Sequence, residues 1–189
     1  GGAQRLAAAG LEVTTLDHEG ARRLAAPFVT RVTKNRPFIT VKQALKDGSM
    51  IPPTGQKTFT GADALRLAHE LRRRADAVLT GSGTVLADSP EFTVRHVADH
   101  PGKTRALAIL DRRGRIPSAY LDEAKARGFA PFIAPDLDQA LAQLAAQGCN
   151  EVLIEAGPQI CATLETRGLW DEWIRIEAGT PDRITYTTN

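Results

Sequence analysis

The sequence predicts an α/β fold in which helices pack on a largely parallel sheet. Segments with the composition of strands alternate with segments that have the apolar spacing of helices. Two predicted strands run directly into glycine-containing turns that open helices, at residues 80–84 and 155–158. The chain shows no internal repeat and no low-complexity linker. One domain with a short appendage therefore accounts for the 189 residues.

The first 35 residues predict helices and a short strand that lead into the main domain. Residues 3–9 have helical composition, and Gly10 ends that helix. Residues 11–14 alternate as a strand does, and residues 17–32 have the spacing of a helix that Pro27 should break or kink. We assign residues 1–35 to a linker segment and residues 36–189 to the main domain.

The main domain begins with a β-prone run at residues 38–42 that suits a strand buried on both faces and ending at Lys42. After a loop rich in glycine and proline, Thr60 is expected to cap a helix that runs to about Arg74. A strand at residues 77–80 leads through a tight turn into a short helix. Further strands are predicted at residues 104–110, 129–134, 151–155 and 173–176, and further helices at residues 137–147 and 158–167.

Composition is that of a globular protein and excludes several classes of function. Apolar residues make up 42% and charged residues 24% of the chain. A net charge of +2 is too small to indicate nucleic-acid binding. The apolar stretches are far shorter than the ~20 residues that span a bilayer, and the N-terminus lacks the order of a signal peptide. We therefore expect a cytoplasmic protein that binds neither nucleic acid nor membranes.

The cysteines and histidines do not predict a metal site. Cys149 and Cys161 are the only cysteines, and no Cys/His cluster has the spacing of metal ligands. We interpret both as small buried residues in a reducing compartment. The four histidines are scattered, and we interpret them as surface groups or as groups that support others.

Each of the two glycine turns could hold a phosphate group. Glycine lets the backbone approach an anion, and a helix N-terminus offers free N–H groups and the positive end of the helix dipole. Pro158 fits the first turn of a helix, where a missing N–H costs nothing. The other turn has Leu86 where a third fingerprint glycine would stand, so a Rossmann dehydrogenase is not supported. A plain tight turn remains the alternative for each.

Polar side chains are expected at the ends of several elements. Lys42, Asp88 and Glu155 could together orient a small molecule and manage its protons, although these residues alone favour a set of ordinary salt bridges. The arginines at residues 72–74 suit the negative end of a helix dipole. At least one of them, together with Arg95, could also hold a phosphate group bidentately.

Four motifs occur along the chain, and their order resembles that in one family. They are RPFITVKQA at residues 36–44, GSGTVLADSPEFTVR at 81–95, ILD with IP between 109 and 117, and VLIEAGP at 152–158. Together they resemble the reductase domain of the bifunctional riboflavin-biosynthesis deaminase/reductase. Residues 6–13 resemble the segment that joins the deaminase to the reductase in that family, and the sequence has no zinc-deaminase signature.

The resemblance implies a dihydrofolate-reductase-like three-layer α/β fold with a mostly parallel central sheet. It implies reduction of 5-amino-6-(5-phosphoribosylamino)uracil to the ribityl compound with NADPH, in a homodimer whose full-length chain can carry an N-terminal deaminase. Lys42 and Glu155 would be the catalytic residues, with the Lys42 ammonium a reasonable proton donor. The substrate would contact Gln56, Arg72, Phe92, Arg95 and Glu155, and NADPH would lie along Ala44, Thr58, Thr84, Asp88, Gly157, Pro158, Gln159, Ile160, Cys161, Ala162 and Thr163.

Some segments depart from the family pattern. Leu45-Lys46-Asp47-Gly48 replaces the usual Ser-Leu-Asp-Gly, and the stretch after the strand lysine is one residue shorter than expected. Gln56 and Thr58 stand where family members place a serine and a tryptophan. The region between Asp111 and Glu155 is shorter than usual, and the later strands are missing, so we expect a fold shortened at its C-terminus. Two alternatives stay open: a non-catalytic domain that stabilises or dimerises an attached deaminase, and a related reductase with a different substrate.

Overall fold

A seven-stranded sheet organises the molecule. The structure, a computed structural model, describes residues 1–50 and 59–189. Its helices are α1 (Gly2–Ala8), α2 (Glu19–Lys34), α3 (Ala62–Arg74), α4 (Ser82–Asp88), α5 (Ser118–Ala126), α6 (Leu137–Ala146) and α7 (Pro158–Arg167). Its strands are β1 (Phe38–Leu45), β2 (Ala77–Gly81), β3 (Arg105–Leu110), β4 (Phe129–Ala134), β5 (Glu151–Ile154), β6 (Glu172–Glu177) and β7 (Arg183–Thr188).

The strand order is β4-β3-β2-β5-β1-β6-β7. Every neighbouring pair from β4 to β6 is parallel, and β7 pairs with β6 in the antiparallel direction. The α/β fold with a mostly parallel sheet is therefore confirmed. Since β5 and β1 lie in the middle of the sheet, their carboxyl ends are flanked on both sides by other strands, as the ligand sites of parallel sheets usually are.

Alternation along the strands divides the core into two faces. On one face, Val41 and Ile154 pack with the residues of α6 and α7, including Leu144 and Leu164. On the other face, the next residues along the strands meet α3, α4 and α5, as Leu153 does with Leu71. Helices thus cover both faces of the sheet, which gives the three layers that the resemblance implied.

The structure contradicts two expectations for the N-terminal segment, a strand at residues 11–14 and a break of the helix at Pro27. Residues 11–14 form no strand, and the exposed Leu11 and Val13 pair with no described strand. Pro27 does not break α2, which continues to Lys34 with the proline inside it. The Arg23 carbonyl, which loses its helical partner to Pro27, belongs to an exposed residue, so water can satisfy it. The division into residues 1–35 and 36–189 stays a prediction.

Several element ends also differ from the sequence-based expectation. Lys42 does not end β1, because β6 pairs with β1 as far as Leu45 opposite Glu177. The N-cap of α3 is Gly61 rather than Thr60, and its N–H donates to Asp182 at 2.6 Å. Helix α5 and strand β7 were not predicted, and β7 corrects the expectation that no strand follows β6.

The buried carboxylate of Asp171 ties the start of β1 to the residue before β6. It accepts two hydrogen bonds from Arg36, at 2.5 and 2.9 Å, and one from the Ile39 N–H at 2.9 Å. Lys34, at the end of α2, adds a contact at 3.2 Å. Because a buried carboxylate and its cation depend on each other for solvation, this cluster fixes how α2 enters the sheet.

Replacing Asp171 with alanine should lower the free energy of unfolding by about 3 kcal/mol, because the half-buried Arg36 guanidinium and the buried Ile39 N–H lose their acceptor. The matched control is Asp138→Ala, which removes the carboxylate of an exposed pair with Arg167 and should change stability little. Chemical denaturation of both variants measures the difference. Equal losses of stability would contradict the assignment.

Candidate active site

Register in the sheet places Lys42 beside Glu155. Val41 lies opposite Ile154 in the parallel pair of β1 and β5, so the next residues along both strands are neighbours. Both side chains point to the face covered by α3, because they alternate with Val41 and Ile154, which face α6 and α7. The Lys42 Nζ lies 3.0 Å from the Glu155 Oε2. The predicted association of Lys42 with Glu155 is therefore present in the structure.

Arg72 reaches the same carboxylate from the last turns of α3. Its Nε donates to the Glu155 Oε1 at 2.5 Å, and its Nη2 donates to the Oε2 at 2.9 Å. This is the bidentate geometry in which a guanidinium binds a carboxylate most strongly. Arg74 turns instead towards the amino end of the sheet and pairs with Glu151 and Glu172. The arginine run therefore makes buried ion pairs in addition to complementing the helix dipole.

The group formed by Lys42, Arg72 and Glu155 contains more positive than negative charges. Burial alone would raise the pKa of Glu155, but the charges of Lys42 and Arg72 and their hydrogen bonds outweigh it and hold the pKa well below its ordinary value. Glu155 is therefore an anion at neutral pH. One carboxylate faces two cations, so the group carries one positive charge in excess, which suits a phosphate-bearing ligand.

Residues 89–95 form a loop between α4 and the next part of the chain, here called the 89–95 loop. Phe92 is buried in this loop with φ of 56°, and its ring centroid lies 5.8 Å from the Arg72 guanidinium carbon. The Arg72 Nη1 also donates to the Thr93 carbonyl oxygen at 3.3 Å. Arg95 is exposed and pairs with Glu91. The predicted substrate residues Arg72, Phe92 and Arg95 thus lie in one region.

His69 belongs to the same region, although the sequence analysis did not distinguish it from the other three histidines. We expected a surface or supporting group, but the side chain is fully buried on α3. Its Nδ1 accepts a hydrogen bond from the Arg95 N–H at 3.0 Å. Burial, followed by the nearby charge of Arg72, lowers the pKa of His69 to about 4. The sequence signal was its place one helical turn before Arg72.

The two glycine turns lie side by side at the carboxyl ends of β2 and β5. A Cβ on Gly81 would lie 2.8 Å from the Ile160 Cδ1, so α7 packs closely over the end of β2. A Cβ on Gly157 would lie 3.8 Å from the Thr84 Oγ1. Neighbouring strands therefore bring the predicted cofactor residues Thr84 and Gly157 together.

The N-terminus of α7 fits an anion. Its N-cap, Gly157, makes no side-chain hydrogen bond to the first turn, and that turn contains no acidic residue. Pro158 occupies the first turn, as expected. The free N–H groups and the helix dipole are therefore available to a phosphate group, and the residues present fit the phosphates of a dinucleotide.

The remaining predicted site residues are not part of the group formed by Lys42, Glu155 and Arg72. Asp88 is the exposed last residue of α4 and makes no ion pair among the described residues, so it does not join Lys42 and Glu155. Ala44 lies in β1, two residues beyond Lys42. Gln56 and Thr58 lie outside the described residues. From α7, Gln159, Ala162 and Thr163 are exposed, whereas Ile160 packs against the core.

Both cysteines are buried and free, as interpreted from the sequence. Burial and the charge of Glu165 raise the pKa of Cys161 to about 11, so its thiol is neutral and packs in the core. Cys161 could meet a cofactor only through its backbone. Within residues 1–50 and 59–189, no group of side chains could hold a metal ion and no helix is long and apolar enough to cross a membrane.

Comparisons with known proteins identify relatives for most of the chain. The RibD C-terminal domain family matches residues 37–177. The riboflavin biosynthesis protein RibD of Corynebacterium ammoniagenes is 30% identical over 181 residues, which cover 93% of this chain and 53% of that protein. The 2,5-diamino-6-ribosylamino-4(3H)-pyrimidinone 5′-phosphate reductase of Methanothermobacter thermautotrophicus is 30% identical over 162 residues, which cover 72% of this chain and 75% of that protein.

Solved structures agree with these sequence relatives. Acinetobacter baumannii RibD aligns with a TM-score of 0.72 at 28% identity, over 93% of this chain and 56% of that one. The deaminase/reductase of Thermotoga maritima aligns with a TM-score of 0.76 at 23% identity, over 94% of this chain and 55% of that one, and supports the fold alone. The chain spans about half the length of these RibD proteins.

The family and the fold that the four motifs implied are both confirmed. Of the two sequence relatives, the Methanothermobacter protein is named as a reductase, and the Corynebacterium protein is named for riboflavin biosynthesis. The chain belongs to the RibD C-terminal domain family.

Proposed function

We propose that this chain reduces 5-amino-6-(5-phosphoribosylamino)uracil to 5-amino-6-(5-phosphoribitylamino)uracil with NADPH. The observation that carries the proposal is the buried group of Lys42, Glu155 and Arg72. It stands at the carboxyl end of β5, and the N-terminus of α7 follows three residues after Glu155. A cationic group next to a phosphate-binding helix is what a reductase of a phosphorylated sugar requires.

The substrate phosphate is held by the positive charge around the 89–95 loop. Arg72 and Lys42 carry two positive charges, and the Glu155 carboxylate neutralises only one of them. Arg95 adds an exposed guanidinium. Phe92 supplies backbone contact in the same loop, and Gln56 completes the substrate residues that the family resemblance implies. Because arginine presents several N–H donors in a plane, it binds phosphate oxygens bidentately.

The two glycine turns would hold the cofactor. Residues 157–163 would hold its phosphates through the backbone at the start of α7, and Thr84 stands beside Gly157. Asp88, Ala44 and Thr58 would line the rest of the cofactor, as the resemblance implies. The choice of NADPH over NADH is part of this proposal.

Bound NADPH would supply a hydride to C1′ of the open-chain imine form of the ribosyl group and would leave as NADP⁺. As the C1′–H bond forms, the electron pair of the C=N bond moves to nitrogen, which takes a proton and becomes an amine. Lys42 is the residue placed to give a proton there, and Glu155 fixes the direction of its ammonium group. The chain otherwise contributes orientation of substrate and cofactor.

A second candidate substrate is the pyrimidinone that has not been deaminated. The Methanothermobacter relative is named for reduction of 2,5-diamino-6-ribosylamino-4(3H)-pyrimidinone 5′-phosphate, and it matches this chain over 75% of its own length. The two substrates differ in the group at position 2 of the ring, and both carry the same phosphoribosyl group. The proposed reduction is therefore the same for either one.

The proposed setting is a cytoplasmic homodimer, attached in the full-length protein to an N-terminal deaminase. The outer side of β7 supports self-association, because its exposed backbone is available to a partner strand. Sedimentation velocity of the purified chain measures the oligomeric state, and a monomer at micromolar concentration would refute the dimer.

Titration with NADPH and NADH, followed by NADPH oxidation with each pyrimidine substrate, tests the function. We expect saturable NADPH binding, weaker NADH binding, and oxidation that requires a phosphoribosyl pyrimidine. No NADPH binding at high micromolar concentration would refute every reductase function and favour a domain that stabilises a deaminase. Binding without turnover of either pyrimidine would indicate another substrate.

Replacing Lys42 with methionine should lower kcat by a factor of about 100 to 1,000, because the proton donor is lost. NADPH affinity should change little, and the fold should persist because Arg72 still binds Glu155 bidentately. Lys103→Met is a matched control, since Lys103 pairs with Asp76 and its side chain is 21% exposed, against 17% for Lys42. Steady-state kinetics would refute the role of Lys42 if both variants turned over equally.

Replacing Gly157 with aspartate should weaken NADPH binding at least tenfold, because a carboxylate at the N-cap repels the cofactor phosphates. Stability should be kept or increased, since aspartate is a favourable N-cap and Gly157 already has extended backbone angles. Gly157→Asn has the same shape without the charge and separates charge from size. Fluorescence titration gives both affinities, and similar affinities for the two variants would contradict phosphate binding there.

A further inference from the structure

We propose that His69 is a positioning residue that fixes the direction of Arg95 in the substrate site, a role that rests on the proposed reductase function. His69 does not reach the site itself, because its side chain is fully buried on α3. It acts through the Arg95 N–H, which donates to its Nδ1 at 3.0 Å. The same helix carries Arg72 three residues later, so one rigid element sets both arginines.

The hydrogen bond requires a neutral ring with its proton on Nε2. An imidazole nitrogen accepts only when it is unprotonated, and the proton of a neutral ring is then on the other nitrogen. The surroundings maintain this form, because burial and the neighbouring cations Arg72 and Arg95, together with His96, keep the pKa of His69 low. The His69 Nδ1 therefore stays a hydrogen-bond acceptor throughout the neutral pH range.

The His69 Nε2 has no hydrogen-bond partner among the residues that the structure describes. A buried donor without an acceptor is unfavourable, and an apolar side chain of similar size would avoid that cost. Histidine at this position is therefore explained by the task of its other nitrogen, which is to hold Arg95.

The 89–95 loop needs such external contacts. Phe92 has φ of 56°, a left-handed conformation that a bulky residue adopts only when its surroundings impose it. Tyr120 donates its O–H to the Pro90 carbonyl at 2.6 Å, and Arg72 donates to the Thr93 carbonyl at 3.3 Å. His69 supplies the third anchor, at the end of the loop that carries Arg95.

The contacts of the Arg95 side chain cannot replace that anchor. Its guanidinium pairs with Glu91 and donates to the Thr93 Oγ1 at 3.0 Å, and both partners belong to the same loop. These contacts would move together with the loop if its end were released. The bond to His69 joins the Arg95 backbone itself to α3, two residues beyond the contact of Arg72 with the Thr93 carbonyl.

The test compares His69→Leu with His69→Asn. Leucine removes the acceptor, whereas the asparagine Oδ1 is bonded to Cγ as the histidine Nδ1 is, so it can still accept from the Arg95 N–H. We expect His69→Leu to raise KM for the phosphoribosyl substrate about tenfold, the factor expected for one lost hydrogen bond. NADPH affinity and kcat should change less than KM, and His69→Asn should restore most of the substrate affinity.

Hydrogen exchange of the Arg95 amide gives a readout that does not need activity. It should be slow in the wild type and in His69→Asn, and faster in His69→Leu, while the amide of Leu79 in the core stays protected. If His69→Leu does not fold, His69→Gln takes its place, because its Oε1 corresponds to Nε2 and leaves the Arg95 N–H without an acceptor.

An unchanged KM in the folded variant without the acceptor would overturn the proposal, as would an equal rise of KM in His69→Asn. Failure of the reductase function itself is recognised separately, since the wild type would then turn over no pyrimidine. In that case rapid exchange of the Arg95 amide in the wild type would still refute the anchoring role.

Discussion

The buried carboxylate of Glu155, held by Lys42 and Arg72, is the interaction on which the rest of the site depends. Burying a charged carboxylate away from solvent is strongly unfavourable unless cations and hydrogen bonds replace the water molecules that it loses. Glu155 therefore requires β1 and α3 to present their cations at one point beyond the end of β5. The same requirement leaves a positive charge in excess beside a helix N-terminus, and the proposed binding of a phosphorylated substrate and a dinucleotide rests on that combination.

The sheet makes this arrangement possible through two simple rules. Parallel register puts Lys42 next to Glu155, and alternation turns both side chains away from the apolar face that α6 and α7 cover. Helix α3 spans the opposite face. Arg74 therefore pairs with Glu151 at the amino end of the sheet, and Arg72 pairs with Glu155 at the carboxyl end. The 89–95 loop is held against α3 by the hydrogen bonds that Thr93 and Arg95 make with this helix.

The sequence predicted the parts of the site that depend on local patterns. Strand and helix periodicity located β5 and α7 and the glycine turns between strand and helix, because backbone requirements select residue types directly. The sequence did not predict the role of His69 or the separation of Asp88 from Lys42, since both depend on how distant segments pack. It also missed β7, whose exposed threonines and tyrosine lack the apolar run that marks the buried strands. The motif resemblance supplied the family, which periodicity alone could not.

Titration of the Glu155 side-chain carboxyl by carbon-13 NMR tests the central claim most directly. Glutamate labelled at Cδ, with the signal assigned from its loss in Glu155→Gln, reports ionisation of this one group. The account predicts the shift of an ionised carboxylate throughout the pH range down to the ordinary glutamate value of 4.5, because Lys42 and Arg72 lower the pKa. A midpoint at or above 4.5 would mean that the two cations do not compensate burial, and would contradict the account.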